Sequence, residues 1–323
     1  DARPTDATAS PADAAADVGV DPSDTGPPDA APPGDAAAIA DAQPSTDGAA
    51  PDAGVWRSAL YGPDWTPDHE DADGRFLHDF SYAGYRRGAP LPELDPADRA
   101  FPVPLVDGDA TAAIQGAIAE AVAAGGGVVQ LPEGDLRVDG RLTINTSGVH
   151  LRGAGSDLTR VQFSQVDGMG YTAYLTVGAP PTHGPDLPLA MDAVPRQHTL
   201  ALADVSDLQV GADVLIGAII SPGFVEAHGM TGVWGPFNDT WQPFFRREVV
   251  AIDGDAVPPT VTLDVPIRYP LKVLDGASLR VETGLISEVS VSGFSVSTAV
   301  PYEAAWADAQ VHAIAFMGVK DGW

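Results

Sequence analysis

The chain has 323 residues, with 17 Lys and Arg against 45 Asp and Glu, a formal net charge of −28 at pH 7 and no cysteine. That balance speaks against binding nucleic acid by phosphate neutralisation and against docking on anionic membrane surfaces. There is no disulfide framework, and no run approaches the ~18 consecutive apolar residues of a membrane-spanning helix.

Residues 1–54 hold seventeen Ala, eleven Asp and nine Pro, no aromatic residue, and only Val18, Val20 and Ile39 as large aliphatic side chains. Ordering a residue costs about 1–2 kcal/mol of backbone entropy, and burying one aliphatic side chain returns only about 1.5–3 kcal/mol. Three such side chains cannot order the segment, so a disordered acidic tether is expected. It resembles the stretch that follows the lipid-modified cysteine of secreted bacterial lipoproteins. The resemblance implies a removed leader, an upstream lipid anchor, a monomer, and an extracellular or cell-surface location, with an outer-membrane lipoprotein as one form of it.

Residues 55–108 are rich in Gly, Pro, Asp and aromatics without a period, and read as an irregular wrap packed by Trp56, Tyr61, Trp65, Phe76, Phe80, Tyr82 and Tyr85. Residues 109–197 open with one strong helix, DATAAIQGAIAEAVAA. Asp109 or Thr111 can cap it; Ala113, Ile114, Ala117, Ile118, Ala121 and Val122 form an apolar stripe at helical spacing; Gly125 to Gly127 end it.

Short apolar bursts follow: VVQL from Val128, LRV from Leu136, LTI, VHLRG from Val149 and VQF from Val161. Brief strands with polar turns, repeating every 20–25 residues or so, are the signature of a solenoid, in which each strand is one side of a coil. VHLRG at 149–153, VSVSG at 289–293 and IAFMG at 314–318 share one apolar–any–apolar–any–Gly pattern. Taken as equivalent, they place Val289, Val291, Ile314 and Phe316 inward, with Gly293 and Gly318 one coil apart. An all-β sandwich is the alternative; the helix running straight into the first strands favours the coil. Residues 198–272 are strand-rich but lack the coil period, and read as an inserted β module whose halves are joined by an aromatic loop at 221–246. Residues 273–323 resume the coils.

The helix, then AGGGVVQLPEGDLRV, then LTINTSGVHLRGAGSDLTRVQF, resembles the N-terminal block of the pectate-lyase-like superfamily. The resemblance covers roughly residues 80–323 and is most specific over 124–164. It implies an all-β fold: a right-handed parallel β-helix with an N-terminal capping helix. DGDATAAIQ at 107–115 departs from the family's longer acidic lead, which bears on fold signature and not on function. The superfamily contains lyases, glycoside hydrolases, epimerases and phage tailspikes, most acting on acidic polysaccharides, so the resemblance gives a substrate class and not a reaction. The expectation is a surface-tethered enzyme that cleaves a uronate-containing glycan by β-elimination. The alternatives are a glycoside hydrolase on the same fold and a non-catalytic glycan-binding or adhesion protein.

A hydrolase needs two or three converging carboxylates. The coils offer Asp135, Asp139, Asp157, Glu288, Asp308 and Asp321, with no adjacent pair on a coil strand; the adjacent Glu70 and Asp71 sit in the wrap. A lyase needs a base and a cation for the enolate, with Arg246, Arg247, Arg268, Lys272, His312 and Lys320 available. His312, Lys320, Asp321 and Arg247 are the catalytic candidates; the bland reading is a structural histidine beside a solvated turn. Trp234, Asn238, Asp239, Trp241 and Arg246 are the substrate-binding candidates, aromatic faces for sugar rings and polar groups for hydroxyls. Their bland reading is a hydrophobic plug seating the module. HEDADG at 69–74 has acids spaced somewhat like a calcium loop but fails the EF-hand template, so Ca²⁺ lacks a motif. GVKDGW ends the sequence just past an apolar strand, which raises the expectation of an incomplete solenoid whose remaining coils carry most of the cleft, so that this chain by itself is expected to be catalytically inactive.

Overall fold

The computed structural model describes residues 60–94, 99–170, 172–235, 240–300 and 311–323. The chain divides into a unit Asp1–Trp56 and a unit Arg57–Trp323. The expected tether, Trp56 and Asp308 lie outside the described residues.

After β1 (Ala100–Pro102) comes helix α1 (Thr111–Ala123). Ile114, Ala117, Ile118 and Ala121 are buried, the centre of the expected stripe. Neither Asp109 nor Thr111 is the N-cap, which is Ala110 with no side-chain cap; Asp109 Oδ1 instead accepts from the Thr111 amide at 2.9 Å and the Asp139 amide at 3.0 Å, which ties the helix start to a neighbouring coil. At the far end Gly125 takes φ 78° and the Gly126 amide donates to the Ala121 carbonyl, a left-handed stop of the kind glycine permits.

The first coil is β2 (Gly127–Gln130), β3 (Gly134–Val138) and β4 (Leu142–Ile144); the second is β5 (Val149–Arg152), β6 (Thr159–Phe163) and β7 (Ala173–Gly178). Each strand pairs in parallel with its counterpart in the next coil: β2 with β5, β3 with β6, β4 with β7. The stack makes three parallel sheets, one per face, and the chain is a parallel β-helix. Parallel crossovers of this type are right-handed as a rule. Leu136 faces Val161, the expected register. On the first face the register differs by one from the expectation, because Val128 pairs with His150 and Val129 with Leu151. Side chains alternate along a strand: Val129 and Leu151 belong to the solenoid core, while Val128 and His150, though also buried, are not part of it.

Between the second and third coils lies an antiparallel sheet made by β8 (Thr182–His183), β9 (Leu187–Pro188), β10 (Thr199–Ala201), β11 (Asp213–Ile219), β12 (Trp241–Asp253), β13 (Thr260–Leu263) and β14 (Ser278–Thr283). Its strands start before residue 198 and continue past 272. It has its own core around Leu200, Val214, Ile216, Val249, Val261 and Leu279, separate from that of the solenoid. Thr182 pairs with Thr283, so the chain leaves the solenoid and returns at one point. The segment 221–246 is not a plain loop. It contains helix α2 (Pro222–Ala227), capped by the Ser221 hydroxyl, and the start of β12.

The third coil is β15 (Ile286–Ser287), β16 (Ser290–Ser292), β17 (Ser295–Thr298) and β18 (His312–Met317), and β19 (Val319–Lys320), which pairs in parallel with β15, opens the next turn. VSVSG stacks on VHLRG, with Val291 facing Leu151. IAFMG does not belong to that face: β18 stacks on β7, with Ile314 facing Leu175 and Phe316 facing Val177. Gly293 and Gly318 are therefore two corners of the same coil. Val289 is fully buried, while Val291 and Ile314 are half-buried and Phe316 is 44% exposed. Backbone bonds tie Trp323 to Val289 and Val291, whereas Ile314 and Phe316, among the described residues, have no further strand over them. The wrap also differs from the aromatic cluster expected. Tyr61 and Phe80 are exposed, and guanidiniums cover the rings: Arg196 lies over Phe76 at 4.7 Å and Arg268 over Phe80 at 4.6 Å.

Candidate functional site

The site begins with two strands of the module. Asp213 on β11 and Glu248 on β12 are directly opposite cross-strand partners, a placement that like charges oppose. Lys320, on β19 of the last coil, resolves it. Its Nζ donates to Asp213 Oδ1 and to Glu248 Oε2, each at 2.8 Å. Burial alone would lower the Lys320 pKa, but these two bonds outweigh it and hold the ammonium above the usual lysine value. The bridge joins the solenoid to the module.

Around it lies a cleft of about 550 Å³ walled by the wrap, the module and the coil corner. Arg87 pairs with Asp264 at 2.6 Å, and the other oxygen of Asp264 accepts the Glu248 amide at 2.8 Å. Arg246 grips the buried Glu282 carboxylate with Nε at 2.9 Å and a terminal nitrogen at 3.1 Å. Arg86 and the Tyr85 hydroxyl both donate to Glu288, each at 2.7 Å. Burial would raise the Glu288 pKa, and these two donors outweigh it and hold the carboxyl below its usual value.

Two cleft guanidiniums have no carboxylate partner among the described residues. Arg247 is spent on backbone carbonyls, donating to Val265, Pro266 and Arg246 at 2.7–2.9 Å while it stacks on Phe245. Burial pushes its pKa down; Asp264 opposes this and Arg268 adds to it. Arg268 donates to the Asp79 carbonyl at 2.9 Å, and its buried Nε has no partner. Asp321, at φ 53°, is the cleft carboxylate that forms no ion pair among the described residues.

Lys320, Asp321, Arg246 and Arg247 thus meet in one place, as do Arg268, the wrap residue Tyr82 and residues the sequence reading passed over: Arg86, Arg87, Asp213, Glu248, Asp264 and Glu282. His312 does not join them. It is exposed at the start of β18, its amide bonded to the Thr172 carbonyl, and it does not line the cleft. Trp241 is held by the module itself, with its indole N–H on Ser278 at 2.8 Å and Arg280 over its ring at 4.0 Å. Trp234, 46% exposed, lines a second, aromatic cavity of about 780 Å³. Asn238 and Asp239 lie outside the described residues. In HEDADG the Arg75 guanidinium sits between Asp71 and Asp73, at 2.7 and 3.1 Å, in the space a cation would take. Among the described residues no group of three or more metal-ligating side chains converges.

One signal for the missed residues was present. YRRG at 85–88 is a basic pair inside an acidic, aromatic wrap, and RRE at 246–248 puts cations and a carboxylate on both faces of one strand.

No family model matches the chain and no curated protein does. Solved structures similar to it include three phage tailspikes. The Gp54 tailspike of Acinetobacter baumannii bacteriophage AP22, in complex with A. baumannii capsular saccharide, is 12% identical, with a TM-score of 0.37 over 71% of this chain and 33% of that one. The Pseudomonas phage phi297 tailspike gp61 is 19% identical, with a TM-score of 0.41 over 58% and 28%. The tailspike gp49 of Pseudomonas phage LKA1 is 16% identical, with a TM-score of 0.34 over 57% and 29%. The matched part is thus about a third of the length of these tailspikes, and no residue role is carried over from them.

Proposed function

We propose that this protein binds an acidic glycan in the charged cleft and cleaves it by β-elimination. The observation that carries the reading is the pair Arg247 and Arg268. Two partly buried guanidiniums face one cleft with no carboxylate of their own, in a chain that has far more acid than base. Like charges held together in reduced dielectric call for an anion, and the planar fork of arginine suits a carboxylate. A uronate carboxylate placed there would be neutralised, which acidifies the neighbouring C–H. Removal of that proton makes a C=C bond as the C–O bond to the next sugar breaks, and the departing oxygen takes up a proton. Lys320, held as an ammonium, is not the base; Asp321 is the group left free to take the proton. Such a protein would act outside the cell.

The test is incubation with a panel of polyuronates, read by the ultraviolet absorbance of unsaturated products and by affinity electrophoresis. Asp321→Asn should abolish product and keep retention, and Arg268→Ala should lose retention by tenfold or more. Retention by the wild type without product would leave a second reading, a non-catalytic glycan-binding solenoid. That reading is favoured by the number of cleft carboxylates already locked in ion pairs. Unchanged retention in Arg268→Ala would remove the cleft from the argument.

A further inference from the structure

The charged cleft and the aromatic cavity are lined by adjoining stretches of β12 and by the consecutive residues Arg268 and Tyr269. The cavity is lined by Ile220, Phe224, Trp234, Phe244, Phe245 and Tyr269, among others, and none of its described lining residues is Lys, Arg, Asp or Glu. Phe245 and Arg247 stand two apart on β12 and so on one face of the strand; the guanidinium lies 4.9 Å from the Phe245 ring centre. Arg268 lines the cleft and the next residue, Tyr269, lines the cavity. From Glu248 back to Gln242 the strand therefore runs from a charged trough into an uncharged one. At ~3.4 Å per residue that path is on the order of 20 Å, room for several linked sugar rings.

The cavity also has polar handles. His228 Nδ1 lies 2.6 Å from the Phe224 carbonyl, which can only accept, so in the neutral ring Nε2 is the acceptor for the Tyr269 hydroxyl beside it. The Tyr269 oxygen keeps lone pairs for a hydroxyl donor. Gln242 supplies an amide at the rim, and Trp234 an exposed aromatic face. A carboxylate in this cavity would lose its hydration with no cation to meet it, whereas the C–H face of an uncharged ring loses little and gains aromatic contact.

We propose that the aromatic cavity is a second saccharide subsite that takes an uncharged hexose or N-acetylhexosamine beside the acidic unit in the cleft. The glycan is then a heteropolysaccharide in which charged and uncharged sugars neighbour one another. This rests on the reading of the cleft given above, and one set of titrations separates the two.

The full chain is titrated calorimetrically with size-matched oligosaccharides of two kinds: an alternating panel, hyaluronan and chondroitin fragments, and an all-uronate one, oligogalacturonates. The wild type should bind an alternating member more tightly than the all-uronate chain. Trp234→Ala should weaken that binding about tenfold and erase the preference, and Trp234→Phe should restore most of it. Arg268→Ala should weaken both kinds. A preference that survives Trp234→Ala, or a wild type that favours the all-uronate chain, overturns the second subsite. If Arg268→Ala still weakens both in that case, the cleft reading stands alone. If Arg268→Ala changes neither, or the wild type binds neither kind, both fall. Circular dichroism of each variant excludes misfolding as the cause.

Discussion

Lys320 links the last described coil to the module through Asp213 and Glu248, and replacing it by methionine leaves those two carboxylates facing each other across the β11–β12 pair. The three side chains are between 27% and 36% exposed, so solvent screens the pair in part. The loss should fall between exposed and buried ion pairs, about 1–3 kcal/mol by urea unfolding. Its pH dependence has a fixed sign. The folded pKa of Lys320 is raised above the usual lysine value of about 10.5, so its contribution is complete below about that pH and is lost as pH rises through the folded value. The wild type should therefore lose stability more steeply than Lys320→Met above pH 10.5. Equal alkaline slopes would contradict the bridge.

At the scale of elements, glycines set how closely coils stack. Gly178 ends β7 at φ 82°, and a Cβ there would fall onto the Met317 carbonyl of the coil stacked on it. Gly178→Ala meets both an unfavourable backbone region and a backbone clash, and should cost more than about 3 kcal/mol. Gly116, exposed in mid-helix α1, has ordinary φ and open space where its Cβ would go. Gly116→Ala should raise stability by about 0.5–1 kcal/mol through helix propensity. Opposite signs in one denaturation series would bear out both assignments; destabilisation by Gly116→Ala would show that the helix face is not open. The helix, its stripe and the brief strands were legible because their signals are local. The face to which IAFMG belongs was not, because all three faces carry the same short pattern and only the stacking partner tells them apart.

At the scale of the molecule, the module is an insertion with its two ends side by side, Thr182 against Thr283. It supplies Asp213, Arg246, Arg247, Glu248, Asp264, Arg268 and Glu282 to the cleft. Replacing residues 182–283 with a short turn should leave slow amide exchange in the first coils, whose core is separate, and should abolish retention on acidic glycans. Loss of protection in β3 and β6 would mean that the solenoid depends on the module for its own stability.

The sequence by itself determined the solenoid, its capping helix, the interruption, and an acidic chain with a few cations concentrated near 246–272 and at 320. These follow from periodicity, turn residues and charge, which act over a few positions. It also brought Arg246, Arg247, Lys320 and Asp321 under suspicion, but grouped them with His312 and Trp241. Only the tertiary structure decided the grouping. His312 and Lys320 are eight residues apart on either side of a coil corner, and that corner aims one at solvent and the other at the module. Asp213 and Glu248 became partners through an antiparallel register that joins residues far apart in the chain. Arg247 and Arg268 have no carboxylate partner among the described residues, because Asp264, Glu282 and Glu248 are already paired with Arg87, Arg246 and Lys320. Which charges are left uncompensated is a property of the whole set of neighbours in space, and no window along the chain contains it.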